Sequence, residues 1–110
     1  MARKLRSYSQ NQIYHITQRC HKKEFLLKLC RDRNAWRQWL FEAKQRYGLS
    51  VLNYMITSNH IHLMVANDDF ETIPRAMQLI SGRVAQEYNI RKNRRGAFWE
   101  DRYHCVPIKD

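Results

Sequence analysis

Two amphipathic helical stretches set among four short strand-like stretches, in the order β, α, β, β, α, β, predict an α+β fold. That order is the ferredoxin-like split βαβ sandwich: a four-stranded antiparallel sheet covered by two helices on one face, with the other face free. Length and composition agree. The chain has 110 residues, 44% of them hydrophobic, with only 3 Gly and 2 Pro, enough for one packed core and without a linker to divide it. One domain over residues 1–110 is expected, with a basic N-terminal arm at 1–10 and a basic loop at 89–96.

Ile13 to Thr17 alternates apolar and polar residues with β-branched content, the pattern of a half-buried first strand. Glu24 to Lys28 reads as a short extension. Trp36, Trp39, Leu40, Ala43 and Tyr47 then recur at helical intervals and predict a helix from about Arg31 to Tyr47. Asp32 suits its positive N-terminal end, and Gly48 is placed to stop it. Leu49 to Thr57 reads as a second strand, Ser58 and Asn59 as a tight turn, and His60 to Ala66 as a third strand returning antiparallel. Asn67, Asp68 and Asp69 break the pattern, Thr72 is read as a cap and Pro74 as a first-turn residue. Ile73, Met77, Ile80, Val84 and Tyr88 mark one face of a second helix ending near Asn89, and Tyr103 to Val106 is the last strand.

Twenty Lys and Arg against 10 Asp and Glu give a net charge of +10, which points to a polyanionic partner. The longest apolar stretches, such as Val51 to Thr57, fall far short of the roughly 18 residues of a membrane span. The opening MARKLRSYSQ lacks the apolar block of a secretory signal, so the expected location is the cytoplasm, with no membrane partner. Cys20, Cys30 and Cys105 are odd in number and lack CxxC spacing, which favours reduced thiols over disulfides or a zinc site.

His60 and His62, in NHIHLMV, are one residue apart, so on a strand they share a face while Ile61, Leu63 and Val65 take the other. The apolar set meets the helices and the histidines stand on the open face, close enough for both imidazoles to reach one divalent ion. Spacing alone is equally consistent with two half-exposed strand histidines that bind nothing.

NHIHLMV on the third strand, a basic second helix and then GAFWEDRYH together resemble the single-tyrosine HUH transposases, and the REP-associated tyrosine transposase branch in particular. YHITQRCHKKEFLL resembles that family's first strand and following loop, so the similarity runs from about Tyr14 to Val106. The resemblance implies that His60 and His62 bind magnesium or manganese. It further implies that a tyrosine attacks a DNA phosphate to give a phosphotyrosine intermediate, on single-stranded or hairpin DNA, and that the protein works as a homodimer. A metal would stabilise charge building on phosphoryl oxygens, and a tyrosyl ester keeps the bond energy needed for rejoining. In the family the nucleophilic tyrosine lies on a helix after the strand that follows WEDRY, so here it is expected beyond Asp110 and the catalytic residue is unknown.

Within the chain, Tyr88 and Tyr103 are the weak candidates for that nucleophile. Tyr88 aligns with the core stripe of the second helix, and Tyr103 follows WEDR beside the sheet. Arg91, Lys92, Arg94 and Arg95 form a candidate phosphate clamp, with Arg19, Arg102 and the arm residues Arg3, Lys4 and Arg6 extending the positive field. Trp99 by itself fits base stacking and packing at a strand entrance equally well, and the resemblance, which places the WEDR-like segment near the active sheet, implies a DNA contact there. The competing reading is a nucleic-acid-binding module without chemistry, since this strand order also serves RNA recognition.

Overall fold

The computed structural model describes residues 12–67 and 71–108; the basic arm at 1–10, Tyr8, Asp68 and Asp69 lie outside them. Strand β1 (Gln12–Arg19) leads through a short 3₁₀ turn (His21–Lys23) to helix α1 (Cys30–Tyr47). The hairpin of β2 (Ser50–Ile56) and β3 (His60–Asn67) follows, then helix α2 (Thr72–Arg91) and strand β4 (His104–Pro107). The sheet order is β2-β3-β1-β4, and every neighbouring pair is antiparallel. This is the split βαβ sandwich expected.

Each boundary has a local cause. Asp32 sits three residues into α1, where its Oδ2 accepts the Leu29 N–H at 3.3 Å and completes one of the donors a helix start leaves open. Gly48 ends the helix at φ +70, a left-handed conformation that lets its N–H close on the Lys44 carbonyl. The β2–β3 turn closes with Thr57 N–H on the His60 carbonyl at 2.9 Å. Two readings are corrected. Glu24 to Lys28 does not form the short extension expected but is irregular chain after the 3₁₀ turn, because its peptide groups bond locally and to the β2–β3 turn rather than along a ladder. Thr72 is the first residue of α2 rather than its cap; Glu71 occupies the cap position, and no side chain caps there.

The alternation of β1 and β3 divides the sheet into two faces. Tyr14, Ile16, Ile61, Leu63 and Val65 are buried against Trp36, Leu40 and Ala43 of α1 and Ile73, Met77, Ile80 and Val84 of α2. The opposite face of the same strands carries His15, Thr17, Arg19, His60, His62 and Met64, all half-buried or exposed. Nothing among the described residues is layered over it.

None of the three cysteines forms a disulfide. Cys20 is fully buried, and desolvation pushes its thiol up to about 12, whereas Cys30 is exposed at the start of α1. Since the thiolate is the reactive form, alkylation at pH 8 should label Cys30 in the native protein and Cys20 only after unfolding. Peptide mass mapping with and without denaturant reads this directly.

Candidate metal and nucleic-acid site

His60 and His62 project from β3 onto the open face, their ring centroids 4.8 Å apart in an edge-on arrangement. Each has its Nδ1 already occupied. The His60 Nδ1 lies 2.8 Å from Asn59 Oδ1 and 2.8 Å from Thr57 Oγ1. Asn59 is itself held, its amide nitrogen donating to the Lys23 carbonyl at 3.3 Å. That carbonyl is delivered by two consecutive residues in the left-handed region, Lys22 (φ +54) and Lys23 (φ +59), a backbone that side-chain-bearing residues adopt at a cost of roughly 1–2 kcal/mol each. The His62 Nδ1 lies 3.1 Å from His15 Nε2 on β1, with the two rings stacked at 11° and 5.2 Å.

Both HxH rings therefore leave Nε2 without a hydrogen bond among the described residues. A ligating histidine needs this arrangement: one nitrogen held by a neighbour, the other carrying a lone pair toward the ion. The electrostatics agree. Burial, then His60, then His15 lower the His62 pKa below its ordinary 6.5, favouring the neutral ring that can ligate. The donor set thus fits two ligands of a divalent ion. Among the described residues no group of three His, Cys, Asp or Glu side chains converges to complete the shell.

The register extends the site across the sheet. Met55, His62, Thr17 and His104 form one row through β2, β3, β1 and β4. A cleft of about 300 Å³ lies beside this row, lined by Thr17, Gln18, Arg19, His60, His62 and His104. His15, the partner of His62, and His104, on the cleft wall, were not singled out by the sequence. Each lies in an alternating strand pattern, but only the cross-strand register places it near His62.

A basic rim borders the His60 end of the sheet. Four backbone bonds tie segments distant in sequence together there: Cys20 N–H to Asn59 O, His21 N–H to Phe98 O, Leu27 N–H to Ser58 O, and Glu100 N–H to Arg19 O, all at 2.8–2.9 Å. They gather Arg19, Lys22, Lys23 and the loop after α2 at one end. The predicted clamp then divides. Arg91 is turned inward, ion-paired to the buried Asp32 and 5.6 Å from the Tyr88 ring centroid. Arg94 is bound to Asn89, the Ala97 carbonyl and Glu24, and is only 20% exposed. Lys92 and Arg95 stay exposed. Arg102 is exposed beside Tyr103. Trp99 packs, its Nε1 donating to the Ser81 carbonyl at 3.0 Å and its ring edge-on to Phe98 at 4.7 Å.

This division has a measurable consequence. If the polyanionic partner expected from the sequence is DNA, Arg95→Ala should weaken that binding and lower its salt slope by about 0.7–0.9, with an unchanged melting temperature. Fluorescence anisotropy across a salt series beside thermal melts reads both quantities.

Of the six tyrosines, Tyr8 is outside the described residues, Tyr54 borders a cleft that His15 and His62 also line, and the other four lie on the helix side. Tyr14 and Tyr103 are buried in the helix-side core. Tyr47 lines a groove between the helices, and Tyr54 packs on Trp36 at 5.8 Å. Tyr88 stacks edge-on against Phe98 at 5.1 Å on the helix side. Burial, then Asp32, raises its pKa despite Arg94 and Arg91, so its phenol is held protonated.

A family model described as "Transposase IS200 like" matches residues 8–110. The chain belongs to the IS200-like transposase family. The fold is shared with a solved REP-associated tyrosine transposase bound to a REP hairpin, at TM-score 0.69 and 15% identity. That alignment covers 100% of this chain and 64% of the other, so the chain spans less than two thirds of that transposase. A solved structure from Deinococcus radiodurans R1 named as a transposase aligns at TM-score 0.72 and 16% identity, covering 99% of this chain and 88% of that one. At these identities the two structures show the fold. No curated protein matches the chain. In the IS200-like transposase fold, then, HxH stands on the open side of the sheet with a basic rim at one end, and no helix of the described residues is long and apolar enough to cross a membrane.

Proposed function

We propose that this chain binds single-stranded or hairpin DNA across its open sheet face and belongs to a metal-dependent nicking and joining reaction that passes through a phosphotyrosine. The observation that carries the reading is the HxH pair with both Nδ1 atoms held and both Nε2 atoms without a hydrogen bond among the described residues, on the sheet face opposite the helices and next to the basic rim. His60 and His62 are the proposed ligands of magnesium or manganese. When bound, such an ion would withdraw charge from a non-bridging phosphate oxygen of the scissile linkage.

The protein's own groups would do the rest. Asn59 and Thr57 orient His60, His15 contacts His62, and Arg19, Lys22, Lys23, Lys92 and Arg95 neutralise backbone phosphates entering from the rim. The nucleophilic tyrosine is proposed to be none of Tyr14, Tyr47, Tyr54, Tyr88 and Tyr103, since four of them pack on the helix side or its edge and Tyr54, although it borders the cleft of His15 and His62, packs its ring on Trp36. The resemblance also implies a homodimer, and a hairpin is the favoured ligand because the aligned REP-associated transposase is bound to one.

Reading the chain as a binding module without chemistry draws support from those same tyrosine positions. Reading it as an RNA-recognition domain does not: histidines and Met64, rather than aromatics, occupy the middle of the open face. Competition binding separates these. A DNA hairpin should bind at least about tenfold more tightly than unstructured RNA of equal length, with a steep loss of affinity as salt rises. Preference for the RNA would overturn the proposal.

A further inference from the structure

We propose that His15 is a positioning residue that fixes the tautomer of His62 and thereby keeps the His62 Nε2 lone pair available to a divalent cation. The inference rests on the reading of His60 and His62 as metal ligands and adds a residue to it.

His15 reaches His62 because β1 and β3 pair antiparallel, with His15 opposite Met64 and Thr17 opposite His62. His15 is therefore a diagonal neighbour on the open face, within reach of a ring. The rings lie nearly parallel, and the His15 Nε2 and His62 Nδ1 atoms are 3.1 Å apart, a hydrogen-bond distance. One proton lies between them, and its owner decides what His62 can do. If His15 donated, a neutral His62 would carry its proton on Nε2 and offer that nitrogen to no cation. If His62 donates from Nδ1, its Nε2 keeps the lone pair, and His15 carries its own proton on Nδ1.

His60 shows which arrangement the site is built for. Asn59 Oδ1 can only accept, and the bond from the Asn59 amide nitrogen to Lys23 O fixes which way that amide points. The His60 proton is therefore on Nδ1 and its Nε2 is free. His15 gives His62 the same protonation pattern from a different strand, so both rings present the same atom. Nearest-neighbour sequence cannot supply this, because Ile61 and Leu63, which flank His62, point into the core.

Long-range ¹H–¹⁵N imidazole spectra of the full chain without metal, together with manganese titration calorimetry, test the proposal. In the native chain His62 should be the Nδ1–H tautomer. In His15→Ala it should move toward Nε2–H, and manganese affinity should fall about 10–100-fold. His15→Gln, whose carbonyl can accept the same proton, should restore the Nδ1–H tautomer and most of the affinity. The His60 signals should stay as they are in all three proteins, which shows that the sheet is intact. An Nε2–H tautomer at His62 in the native chain would overturn the proposal, as would unchanged tautomer and affinity in His15→Ala. So would a magnesium-induced shift at His15 Nε2 as large as that at His62, which would make His15 a ligand. If the native chain binds no divalent cation, the metal reading itself fails, while the metal-free spectra still decide the tautomer.

Discussion

Replacing His62 with alanine lowers manganese affinity by at least roughly 100-fold, more than loss of an outer-shell partner costs, and leaves hairpin affinity within about twofold. His60→Ala behaves alike. The argument is geometric. Both rings have one nitrogen tied down and the other without a hydrogen bond among the described residues, so each is set up to contribute a full ligand bond, and no group of three described His, Cys, Asp or Glu side chains is arranged to hold the ion in its place. DNA affinity should survive because it comes mainly from charge, and the cations that supply it stand on the rim: Arg19, Lys22, Lys23, Lys92 and Arg95. Calorimetry with manganese and anisotropy with a labelled hairpin, run on the same preparations, separate the two effects. A large, parallel loss of hairpin binding would mean that the imidazoles hold DNA rather than metal.

Arg91→Ala destabilises the fold by about 3–5 kcal/mol, the largest loss of stability expected from any surface-region arginine here. Asp32 is 4% exposed and, among the described residues, its carboxylate holds only the Leu29 N–H besides Arg91, so removing the guanidinium leaves a carboxylate buried without that counter-charge. The pair also clips the start of α1 to the end of α2, and the guanidinium lies against Tyr88. Chemical denaturation should show the midpoint fall without a change in slope. Any loss of hairpin binding in this variant should follow its unfolding and disappear at a temperature where it remains folded. Arg95→Ala, four positions along, should do the reverse.

That contrast shows how far the sequence could be read. Arg91, Lys92, Arg94 and Arg95 look alike as a charge run, and nothing local to them says that α2 continues past Asn89 to Arg91 and turns that side chain toward Asp32, fifty-nine positions away. The strands and helices were legible because their patterning is periodic: alternation in Ile13 to Thr17 and His60 to Ala66, and helical spacing from Trp36 to Tyr47. The same alternation placed His60 and His62 on one face. His15 was hidden because its role depends on a register joining residues forty-seven apart, which strand patterning does not encode. Glu24 to Lys28 misled for a related reason. Its apolar Phe25, Leu26 and Leu27 resemble a strand, yet only Leu26 and Leu27 are buried, and they pack from an irregular segment held by the Ser58 carbonyl.

The most direct test of the DNA-binding face is an amide-shift map of the ¹⁵N-labelled chain titrated with a single-stranded DNA hairpin. The largest shifts should fall on Thr17, Arg19, His60, His62, His104 and the loop at 92–95, with α1 and the middle of α2 unmoved. The helix layer offers a real alternative, a groove of about 450 Å³ lined by Tyr47, Arg75, Leu79 and Arg83. Shifts concentrated there, with the histidine face silent, would contradict the assignment of the open sheet as the DNA surface.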